Sequence, residues 1–349
     1  MNTPWGYPDF DAHEALHFVT DEASGLRAII AMHSTHLGPA AGGTRFWHYA
    51  DDAEALTDAL RLSRGMSYKN AMASLPLGGG KAVVLANKSR SKTPEMLAAF
   101  GAAVNGLCGK YVTAEDVGMS VADMIEISKQ TRFVAGLPVG GNEVGGDPGP
   151  HTSLGVFLGI KAAVKRALGK DSLGGLHIAL QGAGSVAGGV ARQAAAEGAK
   201  LSIADVDRTR AEKLAAETGG TVVTPDELLF LEADVVSPCA LGAILTEQSI
   251  ARLNTPIVAG GANNQLATAD DGRRLQARGI LYAPDYVINA GGIINVSTEF
   301  LGDGGPELVR SRVEAIPGRL EQIWAESAAS DQDPASVADA MAQKLIGRR

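Results

Sequence analysis

The segment HIALQGAGSVA at 177–187 constrains the fold of this chain more than any other part of the sequence. It joins a short strand-like run to a glycine-rich turn of the form GxGxxA, and a helix-like run follows at once. Gly182 allows the chain to turn tightly, and Gly184 lets a diphosphate come close to the backbone. The amide groups of Ser185 and Val186 then lie at a helix N-terminus, which attracts phosphate. This pattern predicts a βαβ unit that binds a dinucleotide.

An acidic residue stands where such a unit binds the adenosine ribose. Asp205 ends the next strand-like segment, about 20 residues after the glycine-rich turn, and its carboxylate can accept hydrogen bonds from the ribose hydroxyls. The same carboxylate would repel the 2′-phosphate of NADP, so we expect NAD to be the cofactor. Arg208 and Arg210 follow closely enough to pair with a 2′-phosphate, which keeps NADP as the alternative.

The order of elements around this unit predicts an α/β protein with two domains. After residue 150, strand-like and helix-like segments alternate, as in a parallel, doubly wound sheet. Residues 136–155 are so rich in Gly and Pro that we expect mostly irregular structure and an interdomain hinge. We therefore predict a mixed α/β substrate-binding, catalytic and oligomerisation domain at 1–140 and a Rossmann-type NAD-binding domain at 150–321, with a cleft between them. A C-terminal helix at 322–349 is expected to pack back on the first domain.

Composition excludes several classes of partner. The formal net charge is −8 and no basic stripe is present, so we expect neither nucleic acid nor membrane as a partner. The N-terminus has neither the basic start nor the apolar core of a secretory signal. Cys108 and Cys239 form no metal or redox motif, and His33 and His36 are too few ligands for a metal site. These features predict a cytoplasmic protein that needs no metal.

One lysine in the first domain has an unusual sequence environment. Glycines and apolar residues flank Lys81 on both sides, so its amine is expected in a cleft rather than on an open surface. Loss of hydration there would lower its pKa to about 7–8, which suits proton transfer near neutral pH. The glycine triplet before it is no P-loop, because Leu75 and Ala82 stand where that motif needs Gly and Ser or Thr. From their own positions, Lys69 and Asp116 are equally consistent with structural roles.

Six segments of the chain carry a family resemblance. They resemble segments of the glutamate/leucine/phenylalanine/valine dehydrogenase family, and the resemblance covers about 26–302. Within this family, the chain most resembles the branch of leucine, phenylalanine, valine and tryptophan dehydrogenases. The segments are GPAAGGTR (38–45), MSYKNAMASLPLGGGKA (66–82), TAEDVG (113–118), CALG (239–242), GGANNQL (260–266) and APDYVINAGGIINV (283–296). The resemblance implies reversible, NAD-dependent oxidative deamination of an apolar L-amino acid to the 2-oxo acid and ammonia, by a homo-oligomer.

The resemblance also implies roles for matching residues. Lys69 would bind the substrate α-carboxylate, Lys81 would activate water and stabilise the carbinolamine, and Asp116 would exchange protons with the amino nitrogen. Gly42 and Gly43 would lie beside the substrate. The residues implied at the cofactor, with Asn263 shared with the substrate, are Thr152, Cys239, Ala240, Asn263 and Asn289.

The substrate side chain is expected to be apolar. Where the glutamate branch of the family has a lysine and a serine that meet the side-chain carboxylate, this chain has Ala41 and Val296. A γ-carboxylate would be buried there without a partner, which disfavours glutamate. Ala41, Ala114, Ile293 and Val296 are predicted to line a pocket with room for a side chain such as that of phenylalanine. The alternative is that a bulky neighbour fills the space that the small Ala41 leaves.

Two other classes of function share the dinucleotide motif. One is a Rossmann oxidoreductase for a different small substrate, such as a hydroxy acid or a folate, which would not depend on ammonia. The other is a non-catalytic sensor that binds NAD without turnover. Neither class requires two lysines and an aspartate in the segments that contain them here.

Overall fold

The computed structural model describes residues 3–87, 91–138 and 144–348, and the chain forms two compact units. The first unit comprises Met1–Asp147, Asn295–Pro306 and Ala342–Arg349, and the second comprises Pro148–Ile294 and Glu307–Met341. Within 322–349, Ala342–Arg349 belongs to the first unit and the residues before Ala342 belong to the second. Trp324 shows this directly, since its indole N–H donates to the carbonyl oxygen of Tyr282 at 2.9 Å.

The first unit contains a five-stranded mixed sheet with helices on both faces. Its strands are β1 (Ala15–Asp21), β2 (Leu26–Ser34), β3 (Ala40–Trp47), β4 (Gly78–Leu85) and β5 (Tyr111–Glu115), and its helices are α1 (Asp52–Met72), α2 (Pro94–Gly106) and α3 (Val121–Ser128). The strand order is β1-β2-β4-β3-β5. Strand β2 is antiparallel to both of its neighbours, whereas β3 is parallel to β4 and β5.

Alternation along β2 assigns its residues to two cores. Ile29 packs in a cluster with α1, whereas Ile30 packs in a cluster with α2 and α3. Burial on both faces explains the unbroken apolar run of this strand. Helix α1 begins at Asp52, where the Asp51 side chain caps it by accepting a hydrogen bond from the Glu54 backbone N–H at 2.8 Å.

The glycine triplet belongs to β4 and does not form a turn before it. The sequence pattern predicts a strand from Lys81 onward, but the structure begins it at Gly78. A Cβ atom on Gly79 would overlap the backbone nitrogen of Ser67, and one on Gly80 would lie 2.8 Å from the Tyr111 ring. The absence of side chains therefore lets the last turns of α1 lie directly on the strand.

The second unit contains a six-stranded parallel sheet in the order β11-β10-β9-β6-β7-β8. This is the doubly wound order in which the first strand is central, so the predicted fold class is confirmed. The strands are β6 (His177–Gln181), β7 (Lys200–Ala204), β8 (Thr221–Val222), β9 (Val235–Pro238), β10 (Ile257–Val258) and β11 (Leu281–Tyr282). The helices of this unit are α4 (Gly149–Leu168), α5 (Ser185–Ala196), α6 (Arg208–Thr218), α7 (Pro225–Leu228), α8 (Glu247–Arg252), α9 (Asp270–Ala277), α10 (Asp285–Ile288), α12 (Pro306–Glu314) and α13 (Ile316–Ser330), and residues of both units form α11 (Gly291–Leu301) and α14 (Pro334–Leu345).

Regular structure begins earlier after the predicted hinge than the sequence suggests. Helix α4 starts at Gly149, inside the stretch expected to be mostly irregular. Pro150 is compatible with this start because proline lacks only an N–H that has no helical partner in the first turn. The predicted hinge also includes 139–143, which lie outside the described residues.

The structure adds two observations on partners. None of the helices in the described part of the chain is both long enough and apolar enough to cross a membrane. Within the same three described ranges, no three His, Cys, Asp or Glu side chains are grouped so that they could hold a metal ion.

We predict that Gly79→Ala destabilises the protein. The added methyl group forces α1 away from β4 and should lower the free energy of unfolding by roughly 1–3 kcal/mol, as overpacking does elsewhere. Denaturant unfolding measures the change. Gly65→Ala is the matched control, because Gly65 lies on α1, the helix that Gly79 contacts, and a Cβ atom there would meet nothing within 4 Å. That substitution should stabilise the protein by roughly 0.5–1 kcal/mol, so equal effects of the two variants would contradict the packing described here.

Candidate active site

Lys81 and Lys69 are brought together by the contact between β4 and α1. Lys81 lies two residues before Val83 on β4, so the two side chains point to the same face of the sheet. Val83 packs against α1, so Lys81 lies on the face that this helix covers. Lys69 lies in the last turn of the same helix and is half-buried. Only 6% of Lys81 is exposed. The buried amine predicted from the sequence is therefore present.

Asp116 accepts a hydrogen bond from the amine of Lys81. The contact is between Lys81 Nζ and Asp116 Oδ2, and the other carboxylate oxygen accepts from the Val117 backbone N–H at 2.7 Å. Asp116 follows β5 directly, in a turn that Gly118 completes with a φ of 79°. A Cβ atom on Gly118 would overlap the Phe46 carbonyl oxygen, so both conformation and space require glycine there. The turn thus directs the Asp116 carboxylate towards Lys81.

Burial and neighbouring cations favour the neutral form of Lys81. Loss of hydration is the largest cause, the guanidinium of Arg45 and the ammonium of Lys69 add to it, and the carboxylate of Asp58 opposes it. Together they lower the pKa of Lys81 to about 7. Near neutral pH the amine therefore exists in both protonation states, which a group that both accepts and donates protons requires.

Three residues of this site were not predicted from the sequence. Arg45 donates from Nη1 to Asp58 Oδ2 at 2.9 Å, and the hydroxyl of Tyr49 donates to the same oxygen at 2.6 Å. Burial and this bond to Asp58 raise the pKa of Tyr49, so its hydroxyl keeps its proton. One signal was available, because Arg45 ends the GPAAGGTR segment two residues after Gly43 and so lies on the same face of β3.

The two glycines predicted beside the substrate lie where strands come close together. A Cβ atom on Gly42 would overlap the carbonyl oxygen of Gly80, and one on Gly43 would lie 2.6 Å from that of Glu115. A Cβ atom on Gly43 would also lie 3.0 Å from Cβ of Asp116. Gly43 pairs with Ala114 across β3 and β5, so these two predicted residues are neighbours.

Ala41 lies in a small apolar cluster of the first unit. It is 5% exposed and packs with Leu77 and Val112, and the partly buried Phe300 and Leu301 pack against them. Val296 precedes Phe300 by one turn of α11, so the two side chains share a face of that helix. Phe300 is thus a bulky neighbour of Ala41. Ile293 belongs to the second unit, where it is half-buried.

In the second unit, the predicted phosphate turn has a shape that suits a dinucleotide. Gly182 has a φ of 105°, which strongly favours glycine, and a Cβ atom there would lie 3.1 Å from that of Ala240. A Cβ atom on Gly184 would meet nothing within 4 Å, so the space beside the turn is open. No side chain caps the N-terminus of α5, where Ser185 and Val186 lie. A diphosphate fits this open space and these amide groups.

Asp205 is held against the same turn. Its Oδ2 accepts from the backbone N–H of Ala183 at 2.7 Å, and its Oδ1 accepts from that of Asp207 at 2.8 Å. Val206, the next residue, is 87% exposed, and Leu241 in the CALG segment is 57% exposed. These two exposed apolar side chains were not predicted as part of the site, although their positions after β7 and β9 could have indicated them.

The other predicted cofactor residues form a second group in the same unit. Asn289 Nδ2 donates to Asn263 Oδ1 at 2.8 Å and to the carbonyl oxygen of Gly261 at 3.1 Å. The backbone N–H of Gly261 in turn donates to the sulfur of Cys239 at 3.3 Å, and burial raises the pKa of that thiol. Thr152 lies beside Gly292, because a Cβ atom added to Gly292 would lie 2.8 Å from the hydroxyl oxygen of Thr152.

Comparison with known proteins identifies similar chains along most of the sequence. Residues 13–133 match the Glu/Leu/Phe/Val dehydrogenase dimerisation domain, and 201–343 match Glutamate/Leucine/Phenylalanine/Valine dehydrogenase. The leucine dehydrogenase of Thermoactinomyces intermedius is 46% identical over 96% of this chain and 91% of its own length. The phenylalanine dehydrogenase of Bacillus thermotolerans is 43% identical over 83% of this chain and 77% of its own. The crystal structure of L-tryptophan dehydrogenase from Nostoc punctiforme superposes with a TM-score of 0.85 at 41% identity, covering 96% of each chain.

Proposed function

Because the chain belongs to the glutamate/leucine/phenylalanine/valine dehydrogenase family, we propose that it oxidatively deaminates apolar L-amino acids to 2-oxo acids and ammonia, reversibly and with NAD. The observation that carries this proposal is the hydrogen bond between the buried amine of Lys81 and the carboxylate of Asp116. A buried amine costs stability, and a protein that only sensed NAD would gain nothing from it. An enzyme for a hydroxy acid would not need two lysines beside one carboxylate.

The residues of the first unit divide the chemistry between them. The ammonium of Lys69 pairs with the substrate α-carboxylate and fixes the position of the α-carbon. The cofactor, when bound, supplies the acceptor for the hydride that leaves this carbon. Water then adds to the resulting iminium carbon while neutral Lys81 accepts a proton from that water, which gives the carbinolamine. Asp116, which accepts a proton from the substrate ammonium before the hydride leaves, returns this proton to the amino nitrogen of the carbinolamine. As the C–N bond breaks and ammonia leaves, the Asp116 carboxylate accepts the hydroxyl proton and the 2-oxo acid forms.

The second unit supplies the groups that would hold the cofactor. The turn at Gly182 and Gly184 and the free amides of α5 bind the diphosphate, and Asp205 accepts from the ribose hydroxyls. Val206 and Leu241 provide apolar surface for the adenine. We assign the nicotinamide end of the cofactor to five predicted residues of this unit, namely Thr152, Cys239, Ala240, Asn263 and Asn289. The Asp205 carboxylate favours NAD over NADP because it repels a 2′-phosphate.

An apolar pocket determines the substrate class. Ala41 lies among Leu77, Val112 and Phe300, and none of these can pair with a side-chain carboxylate. Val296 shares a helix face with Phe300 and adds apolar surface, and Ala114 lies beside Gly43. Relatives named for leucine, tryptophan and phenylalanine support a bulky apolar substrate.

The proposal is tested by measuring NADH formation with each of the protein amino acids. We expect turnover with apolar L-amino acids and none with glutamate or aspartate. The rate with NADP should be at least about tenfold lower than with NAD, because a 2′-phosphate beside the half-buried carboxylate of Asp205 costs more than ~1.4 kcal/mol. Reduction of the matching 2-oxo acid should require ammonia. Turnover of a hydroxy acid, or NADH binding without any turnover, would instead support one of the two alternative classes.

Ala41→Leu tests the size of the pocket. The added methylenes should lower kcat/KM for phenylalanine about tenfold, since overpacking costs roughly 1–3 kcal/mol, and change that for valine by less than about threefold. Initial rates with both substrates measure the difference. Ala102→Leu, at an exposed position of α2, is the control and should leave both values unchanged. Equal losses for the two substrates would show that Ala41 does not limit the substrate side chain.

We also propose that the enzyme is a homo-oligomer and lies in the cytoplasm. Strand β1 lies at the edge of the five-stranded sheet and exposes 60% of Phe18, in the unit whose matching family domain is named for dimerisation. Cys108 and Cys239 are free thiols, which supports a reducing compartment. Sedimentation equilibrium should therefore give a multiple of the 36.0 kDa chain mass. A monomer at micromolar concentration would contradict this part of the proposal.

A further inference from the structure

Arg45 lies between two carboxylates of the candidate site, those of Asp58 and Asp116. Its Nη1 donates to Asp58, and its Nη2 lies 3.7 Å from Asp116 Oδ2, the same oxygen that Lys81 contacts. The hydroxyl of Tyr49 holds Asp58 from the other side at 2.6 Å. One continuous polar network therefore runs from Tyr49 through Asp58, Arg45 and Asp116 to Lys81.

We infer that Arg45 and Asp58 are positioning residues that hold Asp116 against Lys81 and set how much of Lys81 is neutral at a given pH. This inference rests on the proposed function, in which neutral Lys81 accepts the proton of water. Neither residue needs to touch the substrate for this role. Both act through the two groups that carry the proton transfer.

The charges around Lys81 come from three elements. Arg45 faces it from β3, Asp58 and Lys69 face it from α1, and Asp116 faces it from the turn after β5. The guanidinium lowers the pKa of Lys81, and the Asp58 carboxylate raises it. The pair thus acts on Lys81 in opposite directions.

A purely structural ion pair would tie β3 to α1 and do no more. That role alone would be costly, because the Nε atom of the half-buried Arg45 is itself buried and, within the described residues, has no hydrogen-bond partner. The two roles differ in what each substitution does to Lys81.

Two variants with opposite expected effects test the inference. Arg45→Gln removes a cation and should raise the midpoint of the pH profile of kcat/KM for deamination by about one pH unit. Asp58→Asn removes an anion and should lower that midpoint. Arg45→Lys keeps the charge and should restore the midpoint of the unchanged protein, although its kcat/KM falls because a single ammonium cannot bridge two carboxylates. Arg45→Gln should lose about tenfold in kcat/KM at neutral pH and regain most of it at higher pH.

The charge state of Lys81 is followed in parallel without any activity. Acetic anhydride reacts with neutral amines, so its rate of labelling at Lys81, read by mass spectrometry across pH, gives the midpoint directly. The control is Arg27→Gln, which breaks an exposed ion pair with Asp52 between β2 and α1 at 2.8 Å and should shift nothing.

The outcomes separate this inference from the proposed function. Midpoints that stay unchanged in Arg45→Gln and Asp58→Asn, or that move in the same direction, would overturn the inference. Should Arg45→Gln not fold, an unchanged midpoint in Asp58→Asn is sufficient to overturn it. Opposite shifts in labelling, in a protein without amino-acid turnover, would refute the proposed function and leave the control of Lys81 by Arg45 and Asp58 in place.

Discussion

An amine removed from water beside a carboxylate is the constraint on which the first unit depends. Lys81 lies on a strand whose other residues are glycines and apolar residues, and only 6% of its surface is exposed to solvent. Such an amine must either lose its proton or be paired. The surroundings provide for both states, because Asp116 pairs with the ammonium while Arg45 and Lys69 oppose it. The proposed reaction uses this balance in both directions, since the same amine accepts a proton from water in deamination and returns it in amination.

Local sequence patterns predicted the features that depend on local physics. The GxGxxA turn between strand and helix allowed the parallel sheet to be predicted, because its glycines and the helix N-terminus act within a few residues of one another. The lowered pKa of Lys81 followed from the glycines and apolar residues on either side of it in the sequence.

Features that depend on how distant elements meet were not predictable in the same way. Arg45 and Asp58 pair because of the direction in which α1 crosses the sheet, and no local pattern encodes that direction. The glycine triplet was expected before a strand and is part of one, because its close neighbour, Ser67, lies on another element. The start of α4 and the grouping of the last helices depend on tertiary packing as well. The roles of Lys69, Asp116 and Asn263 came from the family resemblance rather than from their own positions.

The glycine triplet separates two kinds of position in the first unit. At Gly79 and Gly80 any side chain would collide with a helix backbone or an aromatic ring, so this part of β4 has almost no freedom to vary. Ala41, by contrast, is surrounded by side chains, which can repack around a different residue. Under the proposed assignment, substitutions at Ala41 on β3 change what the pocket accepts without moving the lysine on β4. One catalytic arrangement can in this way serve a series of enzymes that differ only in the amino acid they accept.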